Sequence, residues 1–229
     1  MAYAVVDGVV RLTSGPSHAA PHGIASRLLE NGRLYDWLQH ILGYREAARR
    51  LQSVLGDTSQ QLVLDVGGGT GNLYPFLSPG TRYVCLDNDA GKIQRLRQVR
   101  PDIAAVVGDA TQLPFGDRSI DVAVCVAVTH HLDGEALERL VAELARVVRE
   151  RVVVFDPLRE QQSRRGRLLW RINRGSYPRS EQELVSMLNR GLTSQHVERF
   201  AIHHHYLLWA GRPAAVTPNP ASGEAGRAS

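Results

Sequence analysis

The feature that most constrains this chain is a regular alternation between residues 61 and 157. Short, valine-rich apolar runs take turns with stretches of helical spacing. Gln61–Val66, Tyr83–Asp87, Ile103–Val107, Ile120–Val128 and Arg151–Phe155 read as strands. Asn72–Leu77, Ala90–Val99 and Glu135–Val148 read as the helices between them. Strands that are apolar throughout, rather than on alternate residues, suit a parallel sheet covered on both faces. Strand–helix alternation of this kind means βαβ units, hence an α/β, doubly wound, mostly parallel sheet.

The flanks read differently. Over 24–56, Leu28, Leu34, Trp37, Leu38, Ile41, Leu42, Ala48 and Leu51 recur mostly at spacings of three and four, which predicts a helical cap broken at Gly32 and Gly43. Residues 1–23 read as a flexible terminus, with "VVDGVV" as an alternative hairpin tip, because Asp-Gly favours such turns. After Pro157 the alternation stops. A helix over Ser180–Asn189, capped by Ser180, precedes "QHVERFAIHHHYLLWAGR", which reads as two strands of a hairpin. Residues 213–229 are small, polar and proline-rich, and are expected to be disordered. The chain of 229 residues, 43% hydrophobic, supports one domain over 24–212. Its core spans 61–157.

Bulk properties narrow the classes. Cys85 and Cys125 lie in apolar runs and read as buried thiols of a cytoplasmic protein rather than a disulfide framework. No apolar run nears the roughly 20 residues that cross a bilayer, and the N-terminus lacks the pattern of a signal peptide. No membrane partner is expected. The net charge is +4, and Lys92 is the single lysine among 27 basic residues. That excess does not by itself argue for nucleic acid.

The segment "VLDVGGGTGN", Val63 to Asn72, carries the chemistry. It follows the first core strand, and ligands of open α/β sheets bind at the carboxyl ends of strands. A dinucleotide loop G-x-G-x-x-G needs a third glycine where Asn72 stands, or Tyr74 in the other register. No G-K-[ST] follows, so a P-loop fails too. Asp65, Gly67, Gly69 and Gly71, with Gly68 between them, match the loop that binds S-adenosylmethionine. A carboxylate there repels pyrophosphate and favours a ligand bearing an ammonium and a sulfonium. Asp87, at the end of the second strand in "YVCLDND", suits a ribose hydroxyl. Asp109, in "VVGDATQLPF", suits an adenine amino group. Asp121 reads as an organiser of the fourth strand's start.

The ordered set "VLDVGGGTGN … VCLDND … GDATQLPFGDRSIDVAVCVAVTHHL … VVVFDP" resembles the class I S-adenosylmethionine-dependent methyltransferases of the small-molecule type. The resemblance implies a seven-stranded Rossmann-like sheet ending in an antiparallel hairpin, with 158–212 forming a substrate lid and that hairpin. It implies a cofactor site of Asp65, Gly67, Gly68, Gly69 and Gly71 on the methionine side. Asp87 and Asn88 would take the ribose, Asp109 and Ala110 the adenine, and Val128 to His131 would line the sulfonium and acceptor side. Tyr35 and Trp37 would close over the cofactor.

Candidates for the chemistry itself are fewer. His130 or His131 could serve as base for a hydroxyl nucleophile, with packing or cofactor contact as the competing role. The fourth strand lacks Asn-Pro-Pro-Tyr or Asp-Pro-Pro-Tyr, which argues against nucleic-acid targets and for a small-molecule acceptor. His203 and His205 would share a strand face, but a metal site needs a further ligand, and none is expected. The arginines 164, 165, 167, 171, 174 and 179 could hold an acidic acceptor or lie on a solvated face. Tyr177 could reach the pocket. The expectation is methyl transfer in a monomer or homodimer, oxygen first, carbon or nitrogen open. A non-transferring S-adenosylmethionine binder and an NAD-dependent oxidoreductase are the rivals.

Overall fold

The computed structural model describes residues 3–6, 9–12, 44–159, 177–201 and 205–214. Strands β1 (Tyr3–Val6) and β2 (Val9–Leu12) pair antiparallel, within the segment read above as either a loose terminus or a hairpin. The core strands are β3 (Leu62–Val66), β4 (Arg82–Asp87), β5 (Ala104–Val107), β6 (Ile120–Val126) and β7 (Val148–Pro157). The hairpin strands are β8 (Leu192–Ala201) and β9 (His205–Pro213). The sheet order is β1-β2-β5-β4-β3-β6-β7-β9-β8. The expected seven strands are therefore present, β5 to β7 parallel and β8–β9 antiparallel, and β2 adds the N-terminal pair in parallel to β5.

Four α-helices lie among the described residues: α1 (Tyr44–Leu55), α2 (Ala90–Val99), α3 (Gly134–Val147) and α4 (Glu181–Leu188). Helix α3 buries Leu137, Leu140, Val141, Leu144 and Val147 at helical spacing, against Val152, Val154 and Trp209 of the sheet. Helix α1 buries Ala48, Leu51 and Leu55 on the opposite face. Asp89, Asp133 and Ser180 cap α2, α3 and α4, and Ser180 with Glu183 forms a complete capping box. Arg151 donates to the carbonyls of Val54 and Leu55, closing the end of α1 where Gly56 turns left-handed at φ +63°. None of these helices is long and apolar enough to cross a membrane.

Three elements depart from the sequence reading, the first being β7, which runs over Val148–Pro157 rather than Arg151–Phe155. The helix expected over Asn72–Leu77 is a single 3-10 turn, Tyr74–Phe76. Pro75 opens it, and Ser78-Pro79-Gly80 follow too soon for a second turn. The fourth core strand stops at Val126 because Ala127 adopts a left-handed φ of +56°. Asp121 behaves as expected: its carboxylate accepts from Leu62 N at 2.8 Å and pairs with Arg149 at 2.7 Å, tying the starts of β3 and β6. Cys85 and Cys125 are buried free thiols.

Candidate functional site

Strand order reverses between β3 and β6, so a crevice opens at their carboxyl ends. The glycine loop after β3 forms one wall, and residues 127–132 after β6 form the other. The walls touch: a Cβ added to Gly67 would lie 2.6 Å from Val128 Cγ2. The glycines have separate reasons. Gly68 has no room because Asp65 Oδ2 and Cys85 Sγ would lie 2.5 and 2.7 Å from its Cβ. Gly71, at φ +76°, packs on Leu96. A Cβ on Gly69 would make ordinary contact, 3.7 Å from Lys92 Cδ and 3.8 Å from Asp87 Oδ2, so Gly69 is required by its φ of +57°.

The loop's amides discriminate between ligands. Gly67 N and Gly68 N donate to Leu86 O, Gly69 N donates to Asp87 Oδ2 at 2.9 Å, and Gly71 N donates to Gly68 O. A pyrophosphate cradle needs such amides turned toward the ligand. Here they face inward, over the buried acids Asp65 and Asp87, with Lys92 beside Gly69. This donor-poor, anionic arrangement fits a cationic amino-acid ligand with ribose hydroxyls and disfavours a dinucleotide.

Asp65 lies beneath the loop and accepts a 2.5 Å hydrogen bond from the Tyr83 hydroxyl. Burial pushes its pKa up to about 7, against the opposing effect of the Tyr83 bond and with a smaller contribution from Asp87. Asp87 also accepts from Asp89 N, so its carboxylate fixes both the loop and the turn into α2. Asn88 is exposed beside it. Asp109 is exposed and accepts from the Thr111 amide and hydroxyl, both at 2.8 Å. Ala110 packs against the core. Gly108 N donates to Asp87 O, which joins the β4 and β5 ends of the site.

The wall after β6 is held by side chains distant in sequence. Asp156, fully buried at the end of β7, accepts from Val128 N at 3.0 Å and Thr129 N at 2.7 Å through Oδ2. Its Oδ1 takes the Nδ1–H of His130 at 2.7 Å; a carboxylate can only accept, which places the proton on Nδ1. Arg179 donates to Thr129 O and Leu132 O, each at 2.7 Å, while Tyr177 N donates to His130 O. The left-handed Ala127 and the single 3-10 turn Thr129–His131 are weak structures on their own. They persist because charged groups of opposite sign hold their amides and carbonyls.

This geometry sorts the histidines. His130 is buried, and its bond to Asp156 fixes the orientation of its ring. His131 is exposed, with its ring centroid 4.1 Å from that of His130. Partial desolvation, then His130, lowers its pKa to about 4, leaving a neutral imidazole at pH 7. Arg179, expected to hold an acidic acceptor or a solvated face, instead binds backbone carbonyls of the wall. Arg164, Arg165, Arg167, Arg171, Arg174, His203, Tyr35 and Trp37 lie outside the described residues. Among the described residues, no three His, Cys, Asp or Glu side chains converge as metal ligands.

The sequence reading missed Asp156, Arg179's clamp and Tyr83. A signal existed for the first: an aspartate ending the apolar run Val152–Phe155 is a buried charge in need of partners. For the other two, only the fold reveals the contact.

With that geometry in hand, the comparisons are informative. Residues 64–155 match the model of the methyltransferase domain family. The chain is 35% identical over 105 residues to a demethylmenaquinone methyltransferase of Beutenbergia cavernae, covering 44% of each chain. It is 30% identical over 112 residues to the thiol S-methyltransferase TMT1A of Homo sapiens, covering 46% of this chain and 45% of that protein. The matched segment thus spans less than half the length of these two relatives. A geranyl diphosphate C-methyltransferase from Streptomyces coelicolor A3(2) has the same fold, with a TM-score of 0.62 at 14% identity over 74% of this chain and 76% of that one. Over residues 64–155 this chain is thus similar to methyltransferase domains, on the fold that S-adenosylmethionine-dependent methyltransferases share.

Proposed function

We propose that the protein transfers a methyl group from S-adenosylmethionine to a small-molecule acceptor, with oxygen as the first-choice acceptor atom. When bound, the cofactor supplies an electrophilic methyl on a sulfonium. The observation that carries the reading is the pair of buried carboxylates, Asp65 and Asp87, beneath a glycine loop whose amides face inward. Asp65 would balance the ammonium and Asp87 would take the ribose hydroxyls. Asp109, with its turn at Thr111, and Ala110 would border the adenine.

Displacement at a methyl group asks the protein mainly for alignment. The wall from Val128 to His131 would supply it, fixed by Asp156 and by Arg179. His131, exposed and neutral at pH 7, or His130 would take the proton from a hydroxyl nucleophile. The name of the Beutenbergia cavernae relative, a demethylmenaquinone methyltransferase, supports a quinone-like small acceptor; carbon and nitrogen are the alternative acceptor atoms. The part of 158–212 that precedes the hairpin would act as the acceptor lid.

The test incubates the full chain with methyl-labelled S-adenosylmethionine and a panel of hydroxyaromatic acceptors that includes reduced 1,4-naphthoquinone. Formation of S-adenosylhomocysteine together with a labelled product supports transfer, and fragmentation of the product distinguishes O- from C-methylation. Tight cofactor binding without S-adenosylhomocysteine across the panel would favour a protein that binds the cofactor without transferring methyl.

A further inference from the structure

The Asp65–Tyr83 contact is unlike the rest of the site. A buried carboxylate ordinarily has a cationic partner or several donors. Asp65 has a short bond from one phenol, Tyr83 on the neighbouring strand β4, facing it at 2.5 Å. The other titratable groups around it are no help to a negative charge. Cys85 and Asp87 stand on β4, and Cys125 on β6, and burial keeps both thiols protonated. Lys92 of α2 acts on Cys85, its Cδ would lie 3.7 Å from a Cβ on Gly69, and it is not among the groups that shift Asp65. The loop itself seals the pair, since any side chain at Gly68 would collide with Asp65 Oδ2.

We propose that Tyr83 is a positioning residue of the cofactor site, and that cofactor binding is coupled to release of a proton from the Asp65–Tyr83 pair to solvent. The empty pocket carries Asp65 largely as a protonated carboxyl, its Oδ2 held by the phenol. The cofactor brings an ammonium group, and the carboxyl gives its proton to water to become the matching anion, directly opposite or through one bridging water. No bond other than O–H is broken, and the charge brought in equals the charge created. Tyr83 keeps the transition within reach of neutral pH, because its O–H stabilises the carboxylate more than the acid. This inference rests on the assignment of the loop to S-adenosylmethionine.

The test is calorimetric titration of the full chain with S-adenosylhomocysteine, from pH 5.5 to 7.5, in buffers of different ionisation heat. With a midpoint of about 7, linkage gives about one proton released per ligand at pH 5.5, falling to about a quarter at pH 7.5. Over the same range the affinity strengthens about 20-fold. Tyr83→Phe removes the bond that lowers the midpoint, so proton release persists to higher pH and the pH 7.5 affinity weakens. Asp65→Asn abolishes both the proton release and its share of the pH dependence. The proposal is overturned if wild-type affinity is flat within twofold with no buffer-dependent heat. It is equally overturned if Tyr83→Phe retains the wild-type profile or Asp65→Asn still releases a proton. Should Tyr83→Phe fail to fold, the Asp65→Asn comparison decides alone. A complete lack of S-adenosylhomocysteine binding at every pH overturns the cofactor assignment itself, a different result from pH-independent binding.

Discussion

Asp156 offers a prediction that separates two kinds of substitution at one atom pair. Its Oδ2 serves both backbone amides, Val128 N and Thr129 N, and its Oδ1 serves only His130. Asp156→Ala strips three buried donors of their acceptor at once. Each buried group left unsatisfied costs about 1–3 kcal/mol. The loss is therefore about 4 kcal/mol or more, a large part of the roughly 5–15 kcal/mol that holds a domain folded. Asp156→Asn is expected to behave differently. The amide oxygen can take the position of Oδ2 and keep both backbone bonds. The amide nitrogen then faces His130 Nδ1 and donates to it, provided the imidazole moves its proton to Nε2. Three charge-assisted bonds become three neutral ones, at a cost of about 1–2 kcal/mol. Urea denaturation followed by circular dichroism measures both losses. Nitrogen-15 shifts of the His130 ring report the tautomer, Nδ1–H in the wild type and Nε2–H in the Asn variant. Equal destabilisation by Ala and Asn, or an unchanged tautomer in a folded Asn variant, would refute this partition of the two oxygens.

Other outcomes follow from the same geometry. Gly71→Ala, which combines φ +76° with a 2.8 Å approach to Leu96 Cδ1, is expected to cost about 2–4 kcal/mol by thermal unfolding. Gly69→Ala, strained in φ but with a Cβ only in ordinary contact with Lys92 and Asp87, is expected to cost about 1–2 kcal/mol; the reverse order would count against the packing described. Arg179→Gln removes two bonds from the wall after β6, so amide exchange within 127–134 should quicken about 10-fold or more while β3 and β4 are unchanged. Asp65 has a folded pKa of about 7 against an ordinary 3.8. An acid raised in this way contributes stability that is fully present below about pH 4 and lost as pH rises through 7. Asp65→Asn should flatten that fall in the cofactor-free protein, as read by denaturation midpoints across pH 4–8.

Much of this protein is legible from sequence because its code is local. The runs at Val63, Val84, Val122 and Val152 are apolar on successive residues rather than alternate ones, as a strand covered on both faces demands. Ser180 with Glu183, and the Ala90–Val99 periodicity, mark their helices for the same reason. Asn72–Leu77 misled because apolar content resembled a helix, whereas the proline and the neighbouring Ser-Pro-Gly allow only one turn. In the site, Asp65, the glycines and Asp87 are readable because their spacing within a loop is the chemistry. Asp156, Arg179 and Tyr83 act 18 to 50 residues away in the chain from their partners. Their roles exist only once β4 lies beside β3, β7 beside β6, and the Tyr177–Arg179 segment crosses the wall. The glycines also changed meaning: three of the four make room for the protein's own atoms, Val128, Asp65 with Cys85, and Leu96.

The central claim is that the crevice between β3 and β6 binds S-adenosylmethionine and not a dinucleotide. Parallel calorimetric titrations of the full chain with S-adenosylhomocysteine and with NAD test it most directly, repeated with Asp87→Ala. The account expects saturable binding of S-adenosylhomocysteine, weakened at least 10-fold by Asp87→Ala, about the worth of a lost charged hydrogen bond, and no binding of NAD. Tight binding of NAD with none of S-adenosylhomocysteine would contradict it.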